Sequence, residues 1–505
     1  MPLSFDVAHR GFADTTTYER KWHGFKPLKP TAVRRGAPLL ERRHQVWRSD
    51  EVGEIAGRLP SSPHLWRRRL ALFVTFTSLG MTASAGVAAA TPGDLDATFS
   101  EDGRALTDFP GGADQARDVA RQSDGKLVAV GGAGGNFTIA RYNVDGSLDR
   151  TFAGDGRQVT DFGSASDRAA GVAIRPDGRI LVAGQGRGRF ALARYRPNGS
   201  LDRQFSEDGK QSTDFTRGVE RANDLALSPT GKITVAGDSS KPYGGAVALA
   251  RYHADGTLDR AFSGDGKQLT GEPGDEWVLV GYEAKALKLL PRGGVAVVGT
   301  SSYSDICCIS TDLLLLRYGA DGRLDKSFGQ DGRVFTRFRA RGDNSEGFDI
   351  ARQSGGRLVV AGFSQPIDLD SEFHDSSGPS RFALARYRAD GSLDRAFSGD
   401  GRQTTGFGPG DAEGHGLAVQ GDGRIVVGGT AVGNFALARY RGNGDPDTTF
   451  SGDGKTLTAF GSATSPYGWA GANRIALGPG NRVVAAGFAG GGAQSRFAVA
   501  RYKGG

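Results

Sequence analysis

From residue 91 onward the chain is written in short blocks in which apolar and small or polar positions alternate. Around Val172 and Ile174 the alternation has the period of a strand. Pro176-Asp177-Gly178 makes a tight turn, Ile180 to Gly184 a second strand, and Phe190 to Arg196 a third after a short glycine-rich link. PNGSLDRQFSEDG then turns the chain into a fourth, shorter strand ending at Phe215. The pattern predicts a four-stranded antiparallel meander, with strands named a, b, c and d from the first to the last. The 79 glycines and frequent Asp-Gly pairs suit many short strands joined by tight turns and leave little room for helix.

The block recurs seven times. LDxxF starts at Leu95, Leu148, Leu201, Leu258, Leu324 and Leu393, with PDTTF at Pro446 as the seventh copy, and each copy is closed by an Arg-Tyr pair, Arg141-Tyr142 being the first and Arg501-Tyr502 the last. A lone sheet with apolar side chains on both faces cannot hide them, so neighbouring copies must stack. Residues Arg104 to Phe109 read as a d strand before any a strand has occurred, while the last copy supplies a, b and c alone. Pairing the orphan with the incomplete copy closes a circle and removes two exposed sheet edges. The expected fold is all-β: a seven-bladed β-propeller over residues 91–505, closed by its N-terminal strand.

The ordered blocks LDxxF…DG, xxDGKxVVAG and FALARYxxDGSLD resemble the delta-60 repeat family of bacterial repeat proteins, over residues 94–502. The resemblance implies secretion and tandem architecture and brings no chemistry with it. Copy four departs most, with Gly293-Gly294 in place of the Asp-Gly turn and the leucine-rich LLLLRY closing block.

The formal charge of +7 lies outside the repeats. Residues 1–90 hold 14 Lys plus Arg against 7 Asp plus Glu, whereas residues 91–505 balance at 49 of each. A nucleic-acid partner is therefore disfavoured. Arg67-Arg68-Arg69, an apolar run from Leu70 and an A-x-A ending at Ala90 read as a secretory signal over residues 65–90, cut after Ala90. The competing reading is an uncleaved anchor through residues 70–90; beyond this export segment no membrane association is expected. Residues 1–64 read as a disordered extension or a misassigned start. The only cysteines, Cys307 and Cys308, are adjacent and cannot form a disulfide framework.

Three polar positions recur in every copy: the Asp of LD, the Asp of the later Asp-Gly, and the Arg of Arg-Tyr. Seven equivalent ligand sites would be one explanation. Turn hydrogen bonding and an ion pair for an arginine flanked by apolar strand residues is the favoured one.

Insertions fall almost wholly in the b-c links and d-a crossovers, which share one face of the disc. That face is expected to engage a ligand or partner, with Trp277, Trp469, Tyr303, Tyr467, His374, His415 and Glu413 as candidates. The leading reading is an extracellular, non-catalytic binding or structural protein whose partner is a glycan, a cell-wall polymer or a surface protein. The rival is a secreted hydrolase or lyase acting at the channel mouth, with His415 and Glu413 or His374 as acid and base. No nucleophile elbow, zinc-protease pair or P-loop is present. No cofactor is implied beyond calcium, for which Asp368, Asp370 and Glu372 offer alternating carboxylates, a solvated acidic loop being the favoured reading. Asp118, Asp224 and Asp349 occupy matching positions near the channel and would form an acidic ring that holds a metal ion or substrate, helping to cap the strand entrance being the favoured reading.

Overall fold

A computed structural model of the chain describes residues 91–240, 245–271, 279–304, 309–339, 342–368, 376–461 and 469–505. The chain divides into Met1–Ser84 and Ala85–Gly505, and only the second unit contains described residues. The extension and export segment, with Cys307 and Cys308, lie outside them. Among the described residues no helix is long and apolar enough to cross a membrane.

Seven four-stranded antiparallel sheets are arranged as a β-propeller. The inner strands are Gln115–Arg121, Arg168–Ile174, Glu220–Leu227, Leu279–Leu289, Asp343–Arg352, Ala412–Val419 and Ala470–Leu477. In blade two the other strands are Ile180–Gly186, Arg189–Tyr195 and Lys210–Thr213, as the pattern predicts. Gly178 takes φ +79° in its a-b turn, a backbone conformation that suits Gly above all other residues.

The ring closes as expected. Arg104–Thr107 pairs antiparallel with Arg496–Tyr502, setting Arg104 opposite Ala500 and Thr107 opposite Phe497. The seventh blade thus takes its outer strand from the start of the repeats and its other three from the end. The inner strands of blades seven and one then pack together like any other neighbours.

Apolar clusters lie between blades. Leu181, Ala183 and Leu192 of blade two, for example, meet Ile233, Val235 and Tyr252 of blade three. Removing that surface from water is the main force holding successive sheets face to face.

The recurring polar residues hold this packing in register. Each Arg of Arg-Tyr pairs with the Asp of LD in the link that follows its strand: Arg141 with Asp149 at 2.7 Å, Arg194 with Asp202 at 2.8 Å, Arg439 with Asp447 at 2.8 Å. In blade seven the partner comes from the other end of the repeats, Arg501 reaching Asp96 at 2.9 Å. The Phe of LDxxF lies beneath the guanidinium, as Phe205 does under Arg194 at 5.0 Å, adding a cation–π contact. A guanidinium N–H also crosses to the next blade, where Arg194 donates to the Ala254 carbonyl at 2.6 Å and Arg251 to that of Ala320 at 2.6 Å. The adjacent Tyr hydroxyl bonds a Thr on the preceding blade's outer strand, as Tyr195 does to Thr160 and Tyr252 to Thr213, both at 2.8 Å. These buried groups are satisfied by one another, which is the structural role expected of them. The Asp of the later Asp-Gly likewise accepts from the backbone two residues on, Asp208 from Lys210 N–H at 2.8 Å. Asp331 of blade four differs: it takes φ +53° itself, in a turn where Gln330 and Arg333 bridge.

Candidate functional site

Every inner strand carries a β-bulge at the same level, between Ala116 and Asp118, Ala169 and Gly171, Ala222 and Asp224, Ala284 and Ala286, Gly347 and Asp349, Gly414 and Gly416, and Ala472 and Arg474. Opposite each bulge the b strand has a glycine, from Gly131 in blade one to Gly487 in blade seven. A Cβ on any of these seven glycines would lie 1.7–2.0 Å from a carbonyl oxygen of the inner strand. Only Gly can therefore sit there, and the bulge re-aims the inserted residue. The inserted residues are Arg117, Ala170, Asn223, Lys285, Phe348, His415 and Asn473, all of which line one cavity of about 370 Å³ at the channel mouth.

The next residue in each strand forms a deeper level, where Asp118, Asp224 and Asp349 alternate with Gly171, Ala286 and Gly416, and Arg474 stands in the seventh position. Asp118, Asp224 and Asp349 therefore share one level of the channel, and Arg474 is the cation among their carboxylates. This arginine reaches Asp349 at 3.1 Å and Asp118 and Asp224 at 3.8 Å each. Each Asp also staples its blade to the next. Asp118 accepts from Val119 and Val172 N–H at 2.8 Å, Asp224 from Leu225 and Leu287 at 2.8 Å, and Asp349 from Ile350 at 2.8 Å and Leu417 at 2.7 Å.

One guanidinium among three carboxylates leaves an excess of negative charge in a buried place. Burial, helped by the neighbouring Asp224 and opposed by Arg474, pushes Asp118 up to about 7. Burial raises Asp224 as well. Between the ordinary carboxylate range and about pH 7 the folded chain therefore holds a proton at Asp118 that the unfolded chain has lost, so stability falls as pH rises through that window. We expect Asp118 to contribute a loss on the order of 2–4 kcal/mol between pH 4 and pH 8. Chemical denaturation at a series of pH values for wild type and Asp118→Asn measures it; an equally steep slope in the variant would contradict the assignment.

Above the bulge the mouth is divided by charge. Arg168 and Arg221 stand on blades two and three, and Glu283, Glu346 and Glu413 at the equivalent places on blades four to six. Lys285 binds Glu283 at 2.6 Å and Arg221 binds Asp238 at 3.2 Å. Burial raises Glu346 and Asp238. Asn473 donates to the Ala116 carbonyl of blade one at 2.6 Å, and Asn223 to that of Ala284 in blade four at 2.7 Å.

His415 is on the inner strand of blade six and not in a crossover loop, because the bulge turns it toward the channel. Its Nδ1 lies 3.2 Å from the Ala472 carbonyl and its Nε2 3.2 Å from Glu413, while Phe348 meets the ring edge-on at 4.8 Å. Glu413 and His415 also line a groove of about 760 Å³ that runs out to Trp469 and Val432. Trp469 is 63% exposed. Its carbonyl accepts from Gly490 N–H at 2.8 Å, and the following Ala470 N–H bonds the Gly433 carbonyl at 2.7 Å, so the backbone at this position is tied to the b-c turns of blades six and seven.

Three of the residues anticipated for the varied face, Trp469, Glu413 and His415, thus share one groove. Tyr303 is exposed on the b strand of blade four, outside the lining of both cavities. Asp368 is exposed just after the b strand of blade five. Trp277, Tyr467, His374, Asp370 and Glu372 lie outside the described residues. Among the described residues no group of three His, Cys, Asp or Glu side chains is arranged to hold a metal ion. Sequence reasoning passed over Arg117, Arg168, Arg221, Lys285 and Arg474; the signal was the glycine in the middle of every b strand.

Segments 122–152, 175–205, 228–262, 353–397 and 420–450 match the family model described as "Domain of unknown function (DUF5122) beta-propeller". With seven blades closed in a ring, the chain is a β-propeller repeat protein. No curated protein matches it. Solved structures similar to it include virginiamycin B lyase from Staphylococcus aureus, 10% identical with a TM-score of 0.44 over 79% of this chain and 98% of that one. An ulvan lyase of a polysaccharide lyase family is 10% identical, TM-score 0.46, over 79% and 96% of the two chains. Chaetomium thermophilum Sqt1, bound to the N-terminus of a ribosomal protein, is 12% identical, TM-score 0.40, over 78% and 98%.

Proposed function

We propose that this is an exported, non-catalytic binding protein that holds an extracellular glycan or cell-wall polymer on the face bearing the b-c links and d-a crossovers. The observation that carries the reading is the groove from Trp469 to the channel mouth. A large aromatic face, 63% exposed on an anchored backbone, is a stacking platform for a sugar ring. The polar groups of Glu413, Asp411, Gln115 and Thr430 along the same groove offer hydrogen bonds to hydroxyls. The hydrolase or lyase reading draws less support, because the Ala472 carbonyl and Glu413 engage both ring nitrogens of His415. Export rests on the Arg67–Ala90 segment.

Trp469→Ala is expected to weaken polymer binding at least tenfold, about 1.4 kcal/mol, with the melting temperature unchanged because the side chain is exposed. A glycan array followed by titration calorimetry on the best ligand tests this. Wild-type affinity in the variant would remove the groove from consideration.

A further inference from the structure

The cavity at the channel mouth contains two arginines that stand apart from the ion pairs around them. Arg221, Lys285 and Arg474 all line this cavity and each has its carboxylate. Arg117 and Arg168 line it too, yet neither side chain has a hydrogen bond or ion pair among the described residues. Their positions are produced by the fold: Arg117 is the inserted residue of blade one's bulge, and Arg168 begins the inner strand of blade two. At the inserted position of blades three, six and seven, Asn223, His415 and Asn473 are engaged by the next blade's carbonyl. Arg117 makes no such bond and is directed into the cavity instead.

Arg117 and Arg168 are both partly buried, and withdrawing a guanidinium from water without a counter-ion is costly, the more so beside a second cation. Burial, with the Arg168 charge, holds Arg117 down at about 10. Asp238 draws on Arg168 but is itself held by Arg221 and Asn223, and Glu283 is bound to Lys285. An oxoanion would relieve both: two guanidinium groups present several N–H donors to a carboxylate or sulfate.

We infer that Arg117 and Arg168 form an oxoanion site at the channel mouth, which receives a carboxylate or sulfate substituent of the polymer lying along the Trp469 groove. The inference rests on the reading above for the carrier of that group, and the two cavities are joined through His415 and Asn473, which line both. Glu346 and Glu413, on blades five and six, disfavour an anion on that side of the mouth and so direct it toward blades one and two.

The test uses polymer pairs with one backbone each: pectate with methyl-esterified pectin, and dextran sulfate with dextran, titrated into the protein at constant ionic strength. The charged member of at least one pair is expected to bind at least tenfold more tightly. Arg117→Met and Arg168→Met should each abolish that advantage, Trp469→Ala should weaken both members, and Arg203→Met, an exposed arginine on a c-d link, should change nothing. Equal binding of the two members, unaltered in both arginine variants, overturns the oxoanion site and leaves the groove standing. Should no polymer bind, the groove reading fails in its polymer form, and titration with inorganic sulfate and phosphate decides the site: binding by wild type that is lost in Arg117→Met upholds it, and no binding overturns it.

Discussion

Replacing Arg474 with methionine is expected to destabilise the ring by about 3–5 kcal/mol at pH 8, a cost typical of stranding a buried charge. Methionine fills much of the same space, so the loss is electrostatic in origin. Asp349 would lose a partner at 3.1 Å, and Asp118 and Asp224 their shared cation at 3.8 Å. The three carboxylates can escape only by taking up protons, so the penalty should shrink toward pH 5, where protonation is easy. A packing defect would give the same penalty at both pH values. Arg474→Lys should fall between, since a point charge on a flexible stem cannot face three carboxylates as a planar guanidinium does. Chemical denaturation of the three proteins at pH 5 and pH 8 gives the answer, and a pH-independent loss would mean that the charge of Arg474 is not what the deep level of the channel requires.

The same residue shows where sequence reading stops. The blade count, the strand order and the ring closure were legible because LDxxF and Arg-Tyr mark fixed points in every copy. Stacking sheets by their apolar faces then leaves few alternatives. The partners of the recurring Asp and Arg were legible as chemistry, a turn and an ion pair, but their trans-blade bonds were not: Arg194 reaches Ala254 only once blade three stands beside blade two. Asp118, Asp224 and Asp349 could be found by alignment of the copies, whereas Arg474 could not, because it replaces the repeated residue instead of repeating it. Arg117 and His415 were hidden for another reason. Simple alternation sends successive side chains to opposite faces of a sheet, and a bulge breaks that rule by one residue. Gly131 and Gly429, opposite those two bulges, were the visible sign that it would be broken there.

Removal of residues 1–107 is expected to cost more than any single substitution, at least about 5 kcal/mol, and to make the protein associate further than the full chain does. The deletion takes away buried Phe99 and Ala105, and it takes Asp96 from Arg501 and Arg482. It also removes Thr107, the hydrogen-bond partner of the Tyr142 hydroxyl at 2.7 Å, so the defect reaches the blade-one side of the seam. Most consequential is the strand Arg496–Tyr502, whose backbone groups opposite Arg104–Thr107 become an open edge able to pair with another chain. Removal of residues 1–90 alone should leave the melting temperature and the state of association unchanged, because the contacts described at this seam are made by residues from 91 onward. A peptide spanning residues 91–109, added to the shorter protein, should restore both, as expected when a missing strand rejoins an existing sheet. Light scattering and thermal denaturation of the two truncations, with and without the peptide, distinguish the outcomes. A protein lacking residues 1–107 that associates no more than the wild type and melts with it would show that the ring is held by the blade-to-blade clusters alone, with no contribution from the strand that bridges its ends.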